Sequence, residues 1–86
     1  SSYPGEPLQI GSLGEAVRTV QTQLNKISNN YPLIAKLRVD GSYGESTANS
    51  VKTFQKIFYL PETGVVDFST WYQISNIYVA ISKMAS

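Results

Sequence analysis

No cysteine and no histidine occur among the 86 residues. Their absence excludes disulfide frameworks, zinc-finger ligand sets, thiol nucleophiles, His-ligated haem and every Ser/His/Asp relay in one step. Most enzyme chemistries go with them, and no cofactor or metal site is expected. Charge is also scarce. Charged residues make up 15%, and seven basic against six acidic side chains leave a formal charge of +1. No broad field therefore steers the chain onto phosphates or an anionic leaflet, and nucleic acid is not an expected partner. The longest apolar run, Ile77 to Ile81, is far short of the roughly 20 residues that cross a bilayer, so membrane insertion is not expected either.

What is present is enough apolar material, 42% of the residues, for one packed core. The length predicts a single domain over residues 1–86, with its core at about 3–84, that folds alone as a monomer. The opening Ser1-Ser2-Tyr3-Pro4-Gly5 has no initiator Met, basic segment or apolar segment. It reads as a module cut from a longer or processed polypeptide.

Three segments carry helical periodicity. Leu13, Val17, Val20, Leu24 and Ile27 form one apolar stripe, predicting a first helix over 13–27. Ser12 and Glu15 have the spacing of a capping box at its start. Asn29-Asn30-Tyr31-Pro32 should end it, Pro restricting the residue before it and Asn tolerating a left-handed exit. Residues 33–40 read as an ordered connector packed under the helices. The second helix is predicted over 45–58, with Gly44 as N-cap and Thr47, Val51, Phe54 and Phe58 on its stripe. Leu60-Pro61-Glu62-Thr63-Gly64 is a turn, and Asp67 caps a third helix over 68–84 whose stripe is Trp71, Ile74, Tyr78 and Ile81. The fold class is all-α, a compact bundle of three loop-plus-helix units.

The units echo one another. Gly11-Ser12-Leu13-Gly14-Glu15 resembles Gly41-Ser42-Tyr43-Gly44-Glu45, and Val17-x-x-Val20-Gln21 resembles Val51-x-x-Phe54-Gln55. Val39-Asp40 before the second helix matches Val66-Asp67 before the third. A single such unit cannot bury its own stripe, so three together make the smallest core.

In order and spacing, these segments resemble the three-helix peptidoglycan-binding domain appended to bacterial cell-wall hydrolases. The match is carried by Gly11-Ser-x-Gly14 with Val17-x-x-Val20-Gln21-x-x-Leu24-Asn25, then Val39-Asp40-Gly41-x-Tyr43-Gly44-x-x-Thr47 with Val51-x-x-Phe54-Gln55. Leu60-Pro61-x-Thr63-Gly64-Val65-Val66-Asp67-x-x-Thr70-Trp71 completes it. Tyr3-Pro4-Gly5 and Asn30-Tyr31-Pro32 are similar to the variant found in tandem in clostridial envelope and spore proteins. The resemblance implies a non-catalytic module that binds peptidoglycan, through glycan strand or stem peptide, and anchors an attached or partner hydrolase. It also implies a place outside the membrane of a bacterium, in the cell wall or spore cortex. The alternative is an envelope or spore interaction module that keeps the fold and has lost glycan binding. Three positions depart from the family pattern: Ser50 for Ala, Ala35 for Pro, and Tyr59 for Gly. At the last of these a left-handed residue is expected, where Tyr is strained.

Among individual residues, Asp40 and Glu45 are the one close carboxylate pair. They read either as a glycosidase pair or, better, as a turn former and a helix-dipole partner. Gln21 and Gln55 sit at the edges of their stripes, where a half-buried amide satisfies loop backbone or reads a ligand. Lys36, Arg38, Lys52 and Lys56 form either one basic patch or an ordinary solvated face. Six tyrosines are many for so short a chain, and Tyr31, Tyr43, Tyr59 and Tyr72 lie off the stripes or in loops. Such rings suit the C–H face of a pyranose, and they equally suit covering the ends of a small core. The expected ligand-binding groove comprises Tyr31, Asp40, Ser42, Tyr43 and Tyr72, with no catalytic residue. Thr47 adds a hydroxyl there or is buried.

Overall fold

The structure, a computed structural model, describes residues 2–84. Its elements are α1 (Glu15–Ser28), α2 (Glu45–Ile57) and α3 (Phe68–Met84), with no strand longer than an isolated bridge among the described residues. The all-α reading therefore holds. α1 lies along α3 and meets α2 over a shorter seam. Val17, Val20, Leu24 and Ile27 of α1 meet Val51 and Phe54 of α2 and Trp71, Ile74 and Ile81 of α3 in one core. Leu8, Ile34, Tyr43 and Val66 close it from the loops.

The start of α1 differs from the expected capping box. Gly14, at φ 120°, is the N-cap, and no side chain caps the helix. The Ser12 hydroxyl instead accepts the Gln9 N–H at 3.0 Å, and Glu15 pairs with Arg18 at 3.4 Å. Leu13 leaves the helical stripe and is 78% exposed. The reason is that the backbone of 11–14 is committed elsewhere: it bridges Ser42, with Tyr43 N–H donating to Ser12 O at 3.0 Å and Gly14 N–H to Gly41 O at 2.9 Å. The two echoing Gly-Ser-x-Gly-Glu segments are thus paired antiparallel. A second bridge joins Leu8 to Val66, so the N-terminal segment stitches the loops before α2 and α3 together.

The C-terminal end of α1 also corrects an expectation. Asn29 stays right-handed at φ −62°, and no asparagine among the described residues has positive φ. The helix ends by tightening, with Asn30 and Tyr31 both donating to Ile27 O at 3.0 Å. Lys36 covers the freed end, its Nζ donating to Asn25 O (3.0 Å), Ser28 Oγ (2.6 Å) and Asn29 Oδ1 (2.6 Å).

α2 ends as its sequence demands. Leu60 N–H donates to Gln55 O at 2.8 Å and Tyr59 N–H to Lys56 O at 3.4 Å, which together make a Schellman motif. Its left-handed residue is Tyr59, at φ 61° and 95% exposed. Asp67 begins α3 as expected, its Oδ1 accepting Thr70 N–H at 2.9 Å. Two of the departures from the family pattern touch each other: Ser50 Oγ donates to Ala35 O at 2.9 Å and pins the connector to α2.

Candidate functional site

The site is organised by one buried amide. Gln21 projects from α1 under the loop leading into α2, and its Oε1 accepts the N–H groups of Asp40 (3.1 Å) and Gly41 (3.0 Å). Its Nε2 lies within hydrogen-bond distance of Asp40 Oδ1 (3.1 Å), Ser42 O (3.1 Å) and Thr47 Oγ1 (3.2 Å). Asp40 Oδ1 also accepts Ser42 N–H at 3.0 Å. Gly41 turns the loop at φ 73°; a Cβ there would stand 3.2 Å from Gly14 O and 3.3 Å from the Arg18 side chain.

The same device recurs before α3. Gln55 Oε1 accepts Gly64 N–H at 2.9 Å, and Nε2 reaches Thr63 Oγ1 (3.2 Å), Val65 O (3.0 Å) and Thr70 Oγ1 (3.1 Å). Gly64, at φ 74°, matches Gly41. The register is therefore Asp40-Gly41-Ser42-Tyr43-Gly44-x-x-Thr47 upon Thr63-Gly64-Val65-Val66-Asp67-x-x-Thr70. The sequence match of Val39-Asp40 to Val66-Asp67 is displaced from it by four residues. Gln21 and Gln55 are loop-holding amides, and Thr47 is buried against Gln21.

Above Gln21 an open cleft of about 410 Å³ lies between the connector and the start of α2. Arg38, Asp40, Ser42 and Glu45 give it charges of both signs and a hydroxyl, and Lys36 borders it. Arg38 makes no ion pair or hydrogen bond among the described residues. Hydrogen bonds from Ser42 N–H and the Gln21 amide, with the nearby Arg38 charge, hold the Asp40 carboxyl below its ordinary value, so it is ionised at neutral pH. No side chain caps α2, leaving N–H groups of its first turn at the cleft.

The structure brings together only part of the expected groove. Asp40 and Ser42 are exposed in the cleft. Tyr43 is not available: it is 1% exposed, and its hydroxyl donates to Gly64 O at 2.6 Å. It stands where Val66 stands in the second unit, a core position, with its polar tip satisfied across the bundle. Burial pushes its phenol well above the ordinary value. Tyr31 is half-buried edge-on against Phe58, 5.1 Å between centroids, away from the cleft lining. Tyr72 packs at a tilt against Phe68 at the start of α3, 4.8 Å between centroids, and Phe68 meets Tyr3 at 5.6 Å, forming a separate aromatic ledge. The four basic residues do not gather either. Lys36 caps α1 and Arg38 faces the cleft, while Lys52 lies over Gly64. The convergence of Arg38 and Glu45 on the same cleft as Asp40 and Ser42 was missed, because it depends on how the connector folds back over α2.

The comparisons with known proteins agree with this architecture. Residues 14–74 match the family model described as "Putative peptidoglycan binding domain". The chain belongs to the peptidoglycan-binding domain family. The matched span contains α1, α2, both Gln-held loops and the first turns of α3. Among solved structures, the domain is similar to the SleB N-terminal domain, with 26% identity and a TM-score of 0.76 over 90% of this chain and 99% of that one. It is also similar to the Burkholderia AP3 phage endolysin, with 30% identity and a TM-score of 0.68 over 81% of this chain but 25% of the endolysin. A third likeness is to a peptidoglycan-binding protein from Clostridioides difficile, solved in complex with glutamine hydroxamate. That match has 26% identity and a TM-score of 0.71, covering 85% of this chain and 42% of that protein. No match is found among the curated proteins.

Proposed function

We propose that this domain is a non-catalytic module that binds peptidoglycan in the cleft above Gln21 and holds an attached or partner hydrolase on its substrate in the bacterial cell envelope. The observation that carries the reading is the cleft itself: a rigidly held loop presents Arg38, Asp40, Ser42 and Glu45 around one open space at the start of α2. Gln21 fixes the loop backbone, so little ordering is required when a ligand arrives. Arg38 and the free N–H groups of α2 suit stem-peptide carboxylates, and Asp40 and Glu45 suit the amino group of a diamino acid. The endolysin and the Clostridioides difficile protein extend well beyond this fold, which supports a role as one part of a larger chain. Tethering works through effective concentration, since even weak affinity keeps an enzyme near an insoluble polymer.

Sedimentation with purified sacculi tests this reading. The isolated chain should pellet with sacculi without reducing their turbidity, and Arg38→Glu should weaken pelleting. Retention of the parent chain in the supernatant would favour the interaction-module alternative. Loss of turbidity would make the chain a hydrolase in its own right.

A further inference from the structure

A second cleft, of about 220 Å³, continues the first along the seam between the connector and α2. The two share Lys36, Leu37 and Ser46 in their linings, so they form one groove with two differently built ends. The second end is lined by Leu33, Asn49 and Thr53. Leu33 is 80% exposed, an apolar surface beside the amide and hydroxyl that α2 presents one turn apart.

The charge of the two ends differs in a way that selects their occupants. Lys36 is the one ionisable residue bordering the second cleft, and its Nζ is already committed to three acceptors at the end of α1. A carboxylate placed there would find no free donor on Lys36, and an ammonium would be repelled by that charge, so either would lose hydration with little compensation. An uncharged ligand with C–H groups on one face and amide or hydroxyl groups on the other loses nothing. The Asn49 amide and the Ser46 hydroxyl make no hydrogen bond among the described residues, and Thr53 Oγ1 donates to Asn49 O at 3.1 Å while keeping acceptor capacity. Floor and wall are rigid, because Ser50 Oγ binds Ala35 O beneath them.

We propose that the seam of Leu33, Asn49 and Thr53 is a glycan subsite, taking an N-acetylated sugar of the polymer whose stem peptide occupies the charged cleft beside it. This rests on the peptidoglycan reading and adds a direction to it: sugar toward the middle of α2, peptide toward its N-terminus. In peptidoglycan those two parts are covalently joined, as the two clefts are joined at Lys36, Leu37 and Ser46.

The test uses the full chain, an Asn49→Ala/Thr53→Ala variant, and three probes: intact sacculi, peptide-free glycan strands, and amidase-released stem peptide. Both substitutions are at helical positions where Ala is the better helix former, so folding is retained, and circular dichroism checks it. The variant should bind glycan strands about tenfold more weakly, as the loss of two neutral hydrogen bonds implies, with stem-peptide affinity unchanged. Equal glycan affinity in parent and variant would overturn the subsite, as would equal losses on glycan and peptide. A parent chain that pellets with sacculi but ignores glycan strands would overturn the subsite alone. A parent chain that does not pellet at all would remove the peptidoglycan reading with it.

Discussion

Asp40 and Thr63 occupy the same place in two copies of one device. Each side-chain oxygen lies within reach of a Gln amide from the preceding helix, at 3.1 and 3.2 Å, and each accepts the backbone N–H two residues on, at 3.0 and 3.1 Å. The shared requirement is a short side chain that brings an acceptor oxygen back to the backbone N–H two residues on, which a carboxylate and a hydroxyl both supply. The unit is therefore a Gln-held turn that launches a helix, used once before α2 and once before α3.

The equivalence makes the two residues exchangeable. Asp40→Thr should fold with a melting temperature close to the parent's at neutral pH, whereas Asp40→Ala should melt lower because Ser42 N–H loses its acceptor. Thermal denaturation followed by circular dichroism distinguishes them.

Acid should separate Asp40 from Thr63. The folded-state carboxyl lies below its ordinary value of 3.8, so its contribution to stability is fully present above that value and is lost as pH falls through the folded-state value. The parent should lose melting temperature below about pH 4, and Asp40→Thr should lose less. Identical acid profiles would contradict the assignment.

Removal of the amide should be far more costly than removal of the carboxylate. Gln21→Ala leaves Gly41 N–H buried without an acceptor and Thr47 Oγ1 without its donor. The expected loss is about 2–4 kcal/mol in chemical denaturation. Gln55→Ala should behave alike.

Tyr59→Gly should stabilise the chain. Its φ of 61° places a Cβ in the left-handed region, and its ring is 95% exposed with no packing to lose. Relief of strain exceeds the added freedom of Gly when unfolded, for a net gain of about 0.5–1 kcal/mol. A lower melting temperature would show that the ring is held by contacts.

Much of this was legible in the sequence because it depends on local chemistry. The α2 and α3 starts, with Gly44 and Asp67 as caps, follow from turn and helix rules that hold over a few residues, whereas Tyr59 as a left-handed residue followed from the family resemblance, which places Gly there. The start of α1 was misread because the backbone near Ser12 is used by a partner segment about thirty residues away, which no local rule contains. The repeat register was misplaced for a related reason: Val39-Asp40 and Val66-Asp67 look alike in letters, while Asp40 and Thr63 are alike in hydrogen bonding. Tyr43 read as a loop aromatic because its spacing fits no helix stripe. Its burial comes from lying between the N-terminal segment and the loop before α3, with Gly64 O placed to take its hydroxyl proton.

Under the proposed function, peptidoglycan meets this domain at the cleft above Gln21, a contact open to direct measurement. It is tested most directly by titrating the ¹⁵N-labelled chain with soluble muropeptide and following its backbone amides by nuclear magnetic resonance. The largest shifts should fall on Arg38 and on residues 41–47, continuing to Asn49 and Thr53. Shifts centred instead on Phe68 and Tyr72, or no shifts with a ligand that the intact chain pellets with as sacculi, would contradict it.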